Sequence, residues 1–184
     1  YIAAFKELSD LLGYTEAYKR LFECGFSMGH SYLLRMKTHL EKFSTKLSDL
    51  KFICRVAWIQ FAGTDPETSA EEDSIDGKRV IILKLRDKNS PFASGVETGN
   101  FFCAYPAGAY EGASNAYVIL KNANFYVVAR ETACVSKGDE YCELQLIFTP
   151  KEVPREKIVE SFPDLFKVLS MDFSKELYVR TFGE

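Results

Sequence analysis

The stretch from Glu131 to Cys142 has the sequence ETACVSKGDEYC and contains several side chains of the types that bind metal ions in proteins. The segments on either side, Phe125–Glu131 and Cys142–Phe148, are rich in β-branched and aromatic residues, which favour strands. Between them, the run Ser-Lys-Gly-Asp at 136–139 is typical of a turn. The sequence therefore predicts a β-hairpin in this part of the chain.

Such a hairpin brings three candidate metal ligands together, because Glu131 and Cys134 leave its first strand where Cys142 enters the second. Zinc in proteins takes about four N, S or O ligands in a tetrahedron. Cys103, at the start of the helix predicted before the hairpin, is a candidate for the fourth ligand. A metal ion bound in this way would hold the helix against the hairpin.

Three other interpretations of these cysteines remain open from the spacing. In the first interpretation the cysteines are ordinary buried apolar residues, because free cysteine is commonly buried. A disulfide between Cys134 and Cys142 would also fit a hairpin, although a reducing compartment disfavours it. A redox-active pair is the third interpretation, but the spacing is not that of a C-x-x-C motif.

Two helices are predicted before residue 50. The apolar spacing indicates one over Tyr1–Leu12 and a second from near Thr15 towards Phe43. Gly25 and Gly29 lie on adjacent turns of the second helix, where each glycine costs about 1 kcal/mol relative to alanine. Close approach of another element would offset this cost, so we predict tight packing at this face, and a merely weak helix is the alternative.

The middle of the chain alternates between apolar and polar segments. Phe52–Phe61 is rich in β-branched and aromatic residues and is predicted as a strand, with a continued helix as the alternative. The acidic, turn-rich segment Gly63–Gly77 is predicted as a loop, Val80–Leu85 as a short strand, and Asp87–Gly99 as another loop.

Helices are predicted on both sides of the hairpin. Asn100–Tyr117 is expected to be helical, with Pro106 in its first turn and Gly108 and Gly112 again four residues apart. The tail Pro150–Glu184 is expected to be largely helical, either docked on the domain or leading into a following one. The fold class predicted from these elements is α+β, with a C-terminal β-hairpin.

Composition excludes several classes of protein. Lys and Arg number 23 against 26 Asp and Glu, so we do not expect direct nucleic-acid binding, which needs clustered positive charge. No apolar run approaches the roughly 18 residues of a membrane span, and we expect neither a span nor a signal peptide. The odd count of 5 cysteines favours a reducing compartment over a disulfide framework, so a cytoplasmic location is expected.

The stretch Glu131–Cys142 resembles the signature of the four-vinyl-reductase domain family. The resemblance is closest to the sensor domains of bacterial transcription activators that respond to phenol, xylene and related aromatics. In those sensors a Glu-x-x-Cys-x7-Cys run and an earlier cysteine bind a structural zinc. Cys103, followed by Gly108 and Gly112, fits the spacing of that earlier cysteine, and Leu21–Gly29 resembles the helix through which those sensors dimerise.

The resemblance implies a structural zinc bound by Cys103, Glu131, Cys134 and Cys142, with no open position for catalysis, so an enzyme is not expected. It also implies an organisation in three segments. Residues 1–50 would be an N-terminal helical dimerisation segment, residues 51–150 a ligand-binding, zinc-containing domain of the four-vinyl-reductase type, and residues 151–184 a C-terminal helical tail or linker. A homodimer is therefore expected.

The resemblance also implies the architecture of this α+β fold, with helices packed on an antiparallel sheet and a zinc-clamped C-terminal β-hairpin. In the family's fold the ligand cavity lies between the helices and the sheet. The aromatic residues expected to line it here are Trp58, Phe61, Tyr105, Tyr110, Tyr117 and Tyr126. For each of them taken singly, an ordinary core position is the alternative. Ala107, Ala113 and Ala129 stand where aromatic walls are expected in the phenol sensors, which predicts a wider or differently shaped cavity.

The function expected from the resemblance is a sensing one. The domain would bind a small hydrophobic or aromatic effector and control an attached transcription effector domain. One alternative is a stand-alone accessory protein of tetrapyrrole (chlorophyll-type) vinyl reduction, as the family name suggests. Another is an assembly subunit like those of trafficking complexes, which share this general fold.

Overall fold

In a computed structural model of the protein, residues 1–183, which the structure describes, form six α-helices and one four-stranded sheet. The helices are α1 (Ile2–Leu12), α2 (Tyr14–Leu40), α3 (Leu47–Ala62), α4 (Ala104–Leu120), α5 (Arg155–Ser161) and α6 (Met171–Phe182). The strands are β1 (Glu67–Ile75), β2 (Lys78–Asp87), β3 (Phe125–Ala133) and β4 (Cys142–Pro150). Within residues 1–183, no helix combines the length and apolar character needed to cross a membrane.

The sheet is antiparallel throughout and has the order β1-β2-β4-β3. The predicted hairpin is confirmed as β3 and β4, with Glu131 opposite Leu144 and a register shift between Glu131 and Ala133. Alternation along β4 directs Leu144 and Leu146 towards α2 and α4 and directs Ile147 to the other face. The predicted α+β class, with helices packed on an antiparallel sheet, is confirmed.

Helix α4 covers the outer edge of β3 with polar side chains. The Asn115 side-chain amide donates to the carbonyl of Val127 (2.8 Å) and accepts from its N–H (2.8 Å). The Glu111 carboxylate accepts from the N–H of Ala129 (2.8 Å). These bonds satisfy strand groups that an edge would otherwise leave unpaired, and they fix α4 relative to the hairpin.

Helices α2 and α4 cross at four glycines, as the predicted tight packing requires. A Cβ on Gly25 or Gly29 would overlap main-chain atoms of Tyr105 or Ala109, and a Cβ on Gly108 or Gly112 would overlap those of Phe22 or Phe26. The partner of the Gly25/Gly29 face is therefore α4 of the same chain. This face is occupied, so a homodimer, which stays a prediction, would have to use another surface.

Two predictions for the middle of the chain are wrong. Phe52–Phe61 is not a strand but part of α3, whose buried residues Leu50, Cys54 and Trp58 recur every four positions, the helical period. The predicted loop Gly63–Gly77 contains β1, most of which is exposed at the sheet edge, so its acidic residues stay in solvent.

Asp76 and Gly77 form the two-residue turn between β1 and β2, and both have positive φ angles. An Asp-Gly pair is typical of such a turn, so it was the sequence signal for this hairpin.

The C-terminal tail docks on the face of the sheet that carries Tyr126 and Val128. Ile158 of α5 and Met171 and Tyr178 of α6 pack against Tyr126 and Val128 of β3. The tail therefore belongs to the same packed unit as the sheet. The boundaries of the three predicted segments, 1–50, 51–150 and 151–184, stay a prediction.

A buried ion pair connects α4 with the hairpin under this tail. The side chains of Arg130 and Glu111 are 3% and 2% exposed, and Nη1 of Arg130 lies 2.6 Å from Oε2 of Glu111. Arg130 also donates a hydrogen bond to the Ser174 hydroxyl of α6. Burial raises the pKa of the Glu111 carboxyl, which the neighbouring Arg130 partly offsets. The carboxylate thus depends on Arg130 to remain charged.

Arg130→Met is expected to lower the free energy of unfolding by about 3–5 kcal/mol, because it leaves the buried Glu111 without its counter-ion. Chemical denaturation measures the change. Asp65→Ala, which breaks the exposed Arg55–Asp65 pair, is the matched control and should leave stability unchanged. Equal stability of the Arg130→Met protein and the wild type would show that the pair is not needed.

Candidate functional site

The four predicted metal ligands converge at one end of the hairpin. Glu131 lies at the register shift near the end of β3, Cys134 follows that strand, and Cys142 is the first residue of β4. Cys103 is the residue before the first turn of α4. All four are buried, and one ligand atom from each lies within 4.8 Å of the others. The structure thus brings the four predicted residues together in a group that could hold a metal ion.

The spacing of the sulfur atoms fits a tetrahedral metal better than a disulfide. The Sγ atoms of Cys134 and Cys142 are 3.8 Å apart. Metal–sulfur bonds of about 2.3 Å at tetrahedral angles place two sulfurs about 3.8 Å apart, whereas a disulfide requires about 2.05 Å. Within the described chain all the cysteines are free thiols. The disulfide alternative for Cys134 and Cys142 is therefore not adopted.

The Glu131 carboxylate is held so that one oxygen is free for a metal. Its Oε2 accepts a hydrogen bond from the Cys103 N–H (2.8 Å) and another from the Tyr18 hydroxyl (3.3 Å). Its Oε1 is buried and has no hydrogen-bond partner among residues 1–183. A buried carboxylate oxygen without a partner is costly, and a cation bound beside the three thiols would satisfy it.

Burial and close packing shift the pKa values of this group in different directions. Burial raises the pKa of the Glu131 carboxyl to about 7. Hydrogen bonds with the Cys103 and Cys134 thiols lower the pKa of the Cys142 thiol. The pKa of Cys103 is raised, chiefly by its hydrogen bonds to the other two thiols and by burial. Without a cation the group therefore retains protons that a metal would have to displace.

Metal affinity is expected to fall as the pH is lowered from 8 to 6, because the raised pKa of Cys103 keeps its thiol protonated over this range and Glu131 also becomes protonated below about 7 in the metal-free protein. Each proton displaced on binding lowers the apparent affinity about tenfold per pH unit. Competition with a chelator of known affinity at pH 8, 7 and 6 measures the slope. A flat profile would mean that binding displaces no proton and that these residues are not the ligands.

A cavity of about 570 Å³ opens between α3 and the pair α2 and α4. Its walls are mainly apolar, and they include Leu33, Met36 and Leu40 of α2, Leu50, Ile53, Cys54 and Ala57 of α3, Tyr110, Ala113 and Tyr117 of α4, and Phe148 of β4. The hydroxyls of Tyr110 and Tyr117 donate to main-chain carbonyls at Cys54 (2.8 Å) and Ser44 (3.1 Å). These bonds hold α3 and the segment before it over the cavity.

A second cavity of about 160 Å³ adjoins the first and extends it towards Met28 and Phe61. The two cavities share Tyr32 of α2, Ala57 and Gln60 of α3, and Tyr110 and Ala113 of α4. The Tyr32 hydroxyl donates to the Gln60 side-chain oxygen (2.9 Å) at this boundary. Together they form an elongated apolar space beneath α3.

The predicted ligand-binding aromatics do not all line this space. Tyr110 and Tyr117 line the large cavity and Phe61 the small one, while Tyr105 stacks on Phe61 with ring centroids 5.8 Å apart.

The other two predicted aromatics lie away from the cavity walls. Trp58 points to Asp87, which accepts from its indole N–H (2.8 Å). Tyr126 lies on the opposite face of the sheet under the C-terminal tail, so its placement in the cavity is wrong. Strand alternation is the physical reason, because Tyr126 is adjacent to the inward-facing Val127.

Comparison with known proteins rests on the fold, because no family model and no curated protein matches the sequence. The phenol-responsive sensory domain of the transcription activator PoxR, solved with phenol, superposes with a TM-score of 0.56 and 19% identity over 86% of this chain and 77% of that chain. A trafficking protein particle complex subunit 3 from Naegleria fowleri was solved covalently bound to palmitic acid. It superposes with a TM-score of 0.50 and 19% identity over 72% of this chain and 80% of that chain.

A vinyl-4-reductase family protein from Methanocaldococcus jannaschii gives a TM-score of 0.40 and 20% identity over 70% of this chain and 68% of that chain. The chain therefore has the fold of the phenol-responsive sensory domain and of the trafficking subunit.

Proposed function

We propose that this chain is a regulatory module that binds a small hydrophobic molecule in the cavity beneath α3. The observation that carries the proposal is the cavity of about 570 Å³, which lies in the range of about 300–1,000 Å³ usual for small-molecule sites. Its apolar walls would bury a hydrophobic ligand, and Tyr110 and Tyr117 add aromatic contacts. The phenol-binding sensory domain with the same fold supports this proposal.

Zinc is the metal that we propose for the Cys103, Glu131, Cys134 and Cys142 group. Three thiolates and one carboxylate form a soft, mostly sulfur ligand set, which suits zinc and does not suit calcium or magnesium. Four protein ligands would fill a tetrahedral site and leave no position for a reacting water. The proposed role is therefore structural, and we propose a binding protein and not an enzyme.

A second candidate function, an assembly subunit that holds an acyl chain, is favoured by the elongated shape of the two cavities. Met28 and Leu40, which line opposite ends, are 12 residues apart on α2, a helical distance of about 18 Å. A linear chain would use this length, whereas a single aromatic ring would not. The trafficking subunit of the same fold was solved with palmitic acid.

Filling the cavity is expected to abolish ligand binding while the fold persists. Ala57 lines both cavities, so Ala57→Phe would place a ring in the shared space. Phenol, an alkylphenol and palmitate are the probes. A probe that binds should raise the Tm of the wild type, and at a concentration of about 100 times its Kd it should add about 2.7 kcal/mol to the free energy of unfolding. The Ala57→Phe protein should show no rise.

Ala4→Phe, on the exposed face of α1, is the control for adding a phenyl group and should respond like the wild type. A response to the phenols favours the sensor, and a response to palmitate but not to the phenols favours the acyl-chain subunit. Binding that is unchanged in Ala57→Phe would place the ligand elsewhere and contradict both candidates.

The remaining parts of the proposal concern the context of the module. We propose that the module controls an attached transcription effector domain, forms a homodimer and is located in the cytoplasm. The location follows from the need to keep three metal-binding thiols reduced. Sedimentation of the protein at micromolar concentration tests the dimer, and a monomer would remove that part of the proposal.

A further inference from the structure

Three tyrosines of the N-terminal segment donate hydrogen bonds at or next to the metal-binding group. The hydroxyl of Tyr1 donates to the Phe102 carbonyl and that of Tyr14 to the Phe101 carbonyl (3.2 Å). Both bonds reach the main chain just before Cys103. The Tyr18 hydroxyl instead donates to Oε2 of Glu131 (3.3 Å), so it contacts a proposed metal ligand directly.

Tyr18 is placed as a rigid hydrogen-bond donor. Its side chain is 2% exposed, and its ring contacts those of Phe5 and Tyr14, with centroid distances of 6.3 and 5.9 Å. Together with the Cys103 N–H, the Tyr18 hydroxyl holds Oε2 of Glu131, while Oε1 has no hydrogen-bond partner among the described residues and one carboxylate oxygen lies within 4.8 Å of the three sulfurs.

We propose that Tyr18 is a positioning residue for the metal centre, which orients Glu131 and ties helix α2 to the metal. This inference rests on the proposed metal binding. Helix α2 passes the metal-binding group at Tyr18, packs closely against α4 at Gly25 and Gly29, and ends at the cavity wall with Met36 and Leu40. The metal centre would thus fix the N-terminal half of the helix whose other half lines the cavity.

Tyr18→Phe tests the inference, because it removes the hydroxyl and keeps the ring. Loss of a hydrogen bond that orients a metal ligand lowers metal affinity about 10–100-fold, and we expect a loss of this size for zinc in chelator competition. Tyr14→Phe is the matched control, since its hydroxyl bonds a main-chain carbonyl and not a ligand. It should bind zinc like the wild type.

Two further readouts separate positioning from a general loss of stability. The ligand-field absorption of the cobalt-substituted protein should change in Tyr18→Phe and not in Tyr14→Phe. In a Glu131→Gln background, Tyr18→Phe should have no additional effect on metal affinity, because Tyr18 acts through that carboxylate. An equal, additive loss in both backgrounds would overturn the inference.

Hydrogen exchange of the wild type provides a test that needs no variant. Removing zinc with a chelator should increase exchange at residues 17–22 of α2 as well as at residues 131–142. Unchanged exchange in α2, or a Tyr18→Phe protein that binds zinc as the wild type does, would overturn this inference and leave the zinc proposal intact. A wild type that binds no zinc would overturn both.

Discussion

Replacing Gly29 with alanine is expected to lower the free energy of unfolding by about 3 kcal/mol or more. In an exposed helix the same change stabilises by about 1 kcal/mol, because alanine has the higher helix propensity. Here the new Cβ would overlap the carbonyl oxygen and carbon of Ala109 in α4. Main-chain atoms cannot move aside as a flexible side chain can, so α2 and α4 would have to separate along the crossing that supports the cavity.

Chemical denaturation of Gly29→Ala measures this effect. Ser31→Ala is the control, because Ser31 is exposed on the same helix and alanine there only improves helix propensity. The control should be as stable as the wild type or slightly more so. A Gly29→Ala protein with wild-type stability would show that the two helices are not in the close contact described.

Cys142→Ala is expected to lose the metal and to destabilise the metal-loaded protein by several kcal/mol. Binding of structural zinc contributes about 10–16 kcal/mol in small zinc-finger peptides, and much of that free energy acts on folding. Cys142 begins β4 and its Sγ lies 3.8 Å from that of Cys134, so its loss removes the metal-mediated link between the hairpin and α4. Residues 131–142 should then lose protection from hydrogen exchange.

Cys24→Ala is the matched control for this cysteine substitution, since Cys24 is exposed on α2 and outside the metal-binding group. It should retain the metal content and stability of the wild type. A Cys142→Ala protein that is fully folded and carries a full complement of metal would contradict the assignment of Cys142 as a ligand.

Sequence reasoning was most successful where the information is local. The spacing of Glu131, Cys134 and Cys142 and the turn between them predict the hairpin, because neighbouring strands of a hairpin have to meet. Cys103 is 28 residues before Glu131, and its place in the group depended on the family resemblance as well as on the start of α4.

Sequence reasoning was wrong where tertiary packing overrides local preference. In α3, Ile53, Val56 and Ile59 favour a strand, but burial at Leu50, Cys54 and Trp58 follows the helical period. Because α3 was taken for a strand, its cavity residues Ile53 and Ala57 were not anticipated.

The hydrogen bonds around the four metal-binding residues also could not be predicted from the sequence. The contact of Tyr18 with Glu131 joins residues 113 positions apart, and no local pattern records it.

Native mass spectrometry of the protein purified without chelator, followed by mass analysis after denaturation, is the decisive measurement. We predict one zinc ion per chain in the native spectrum and, after denaturation, a mass that shows all 5 cysteines of the sequence as reduced thiols. A small hydrophobic molecule that leaves on denaturation would identify the occupant of the cavity. Protein without metal, in which Cys134 and Cys142 are joined by a disulfide, would contradict the metal centre.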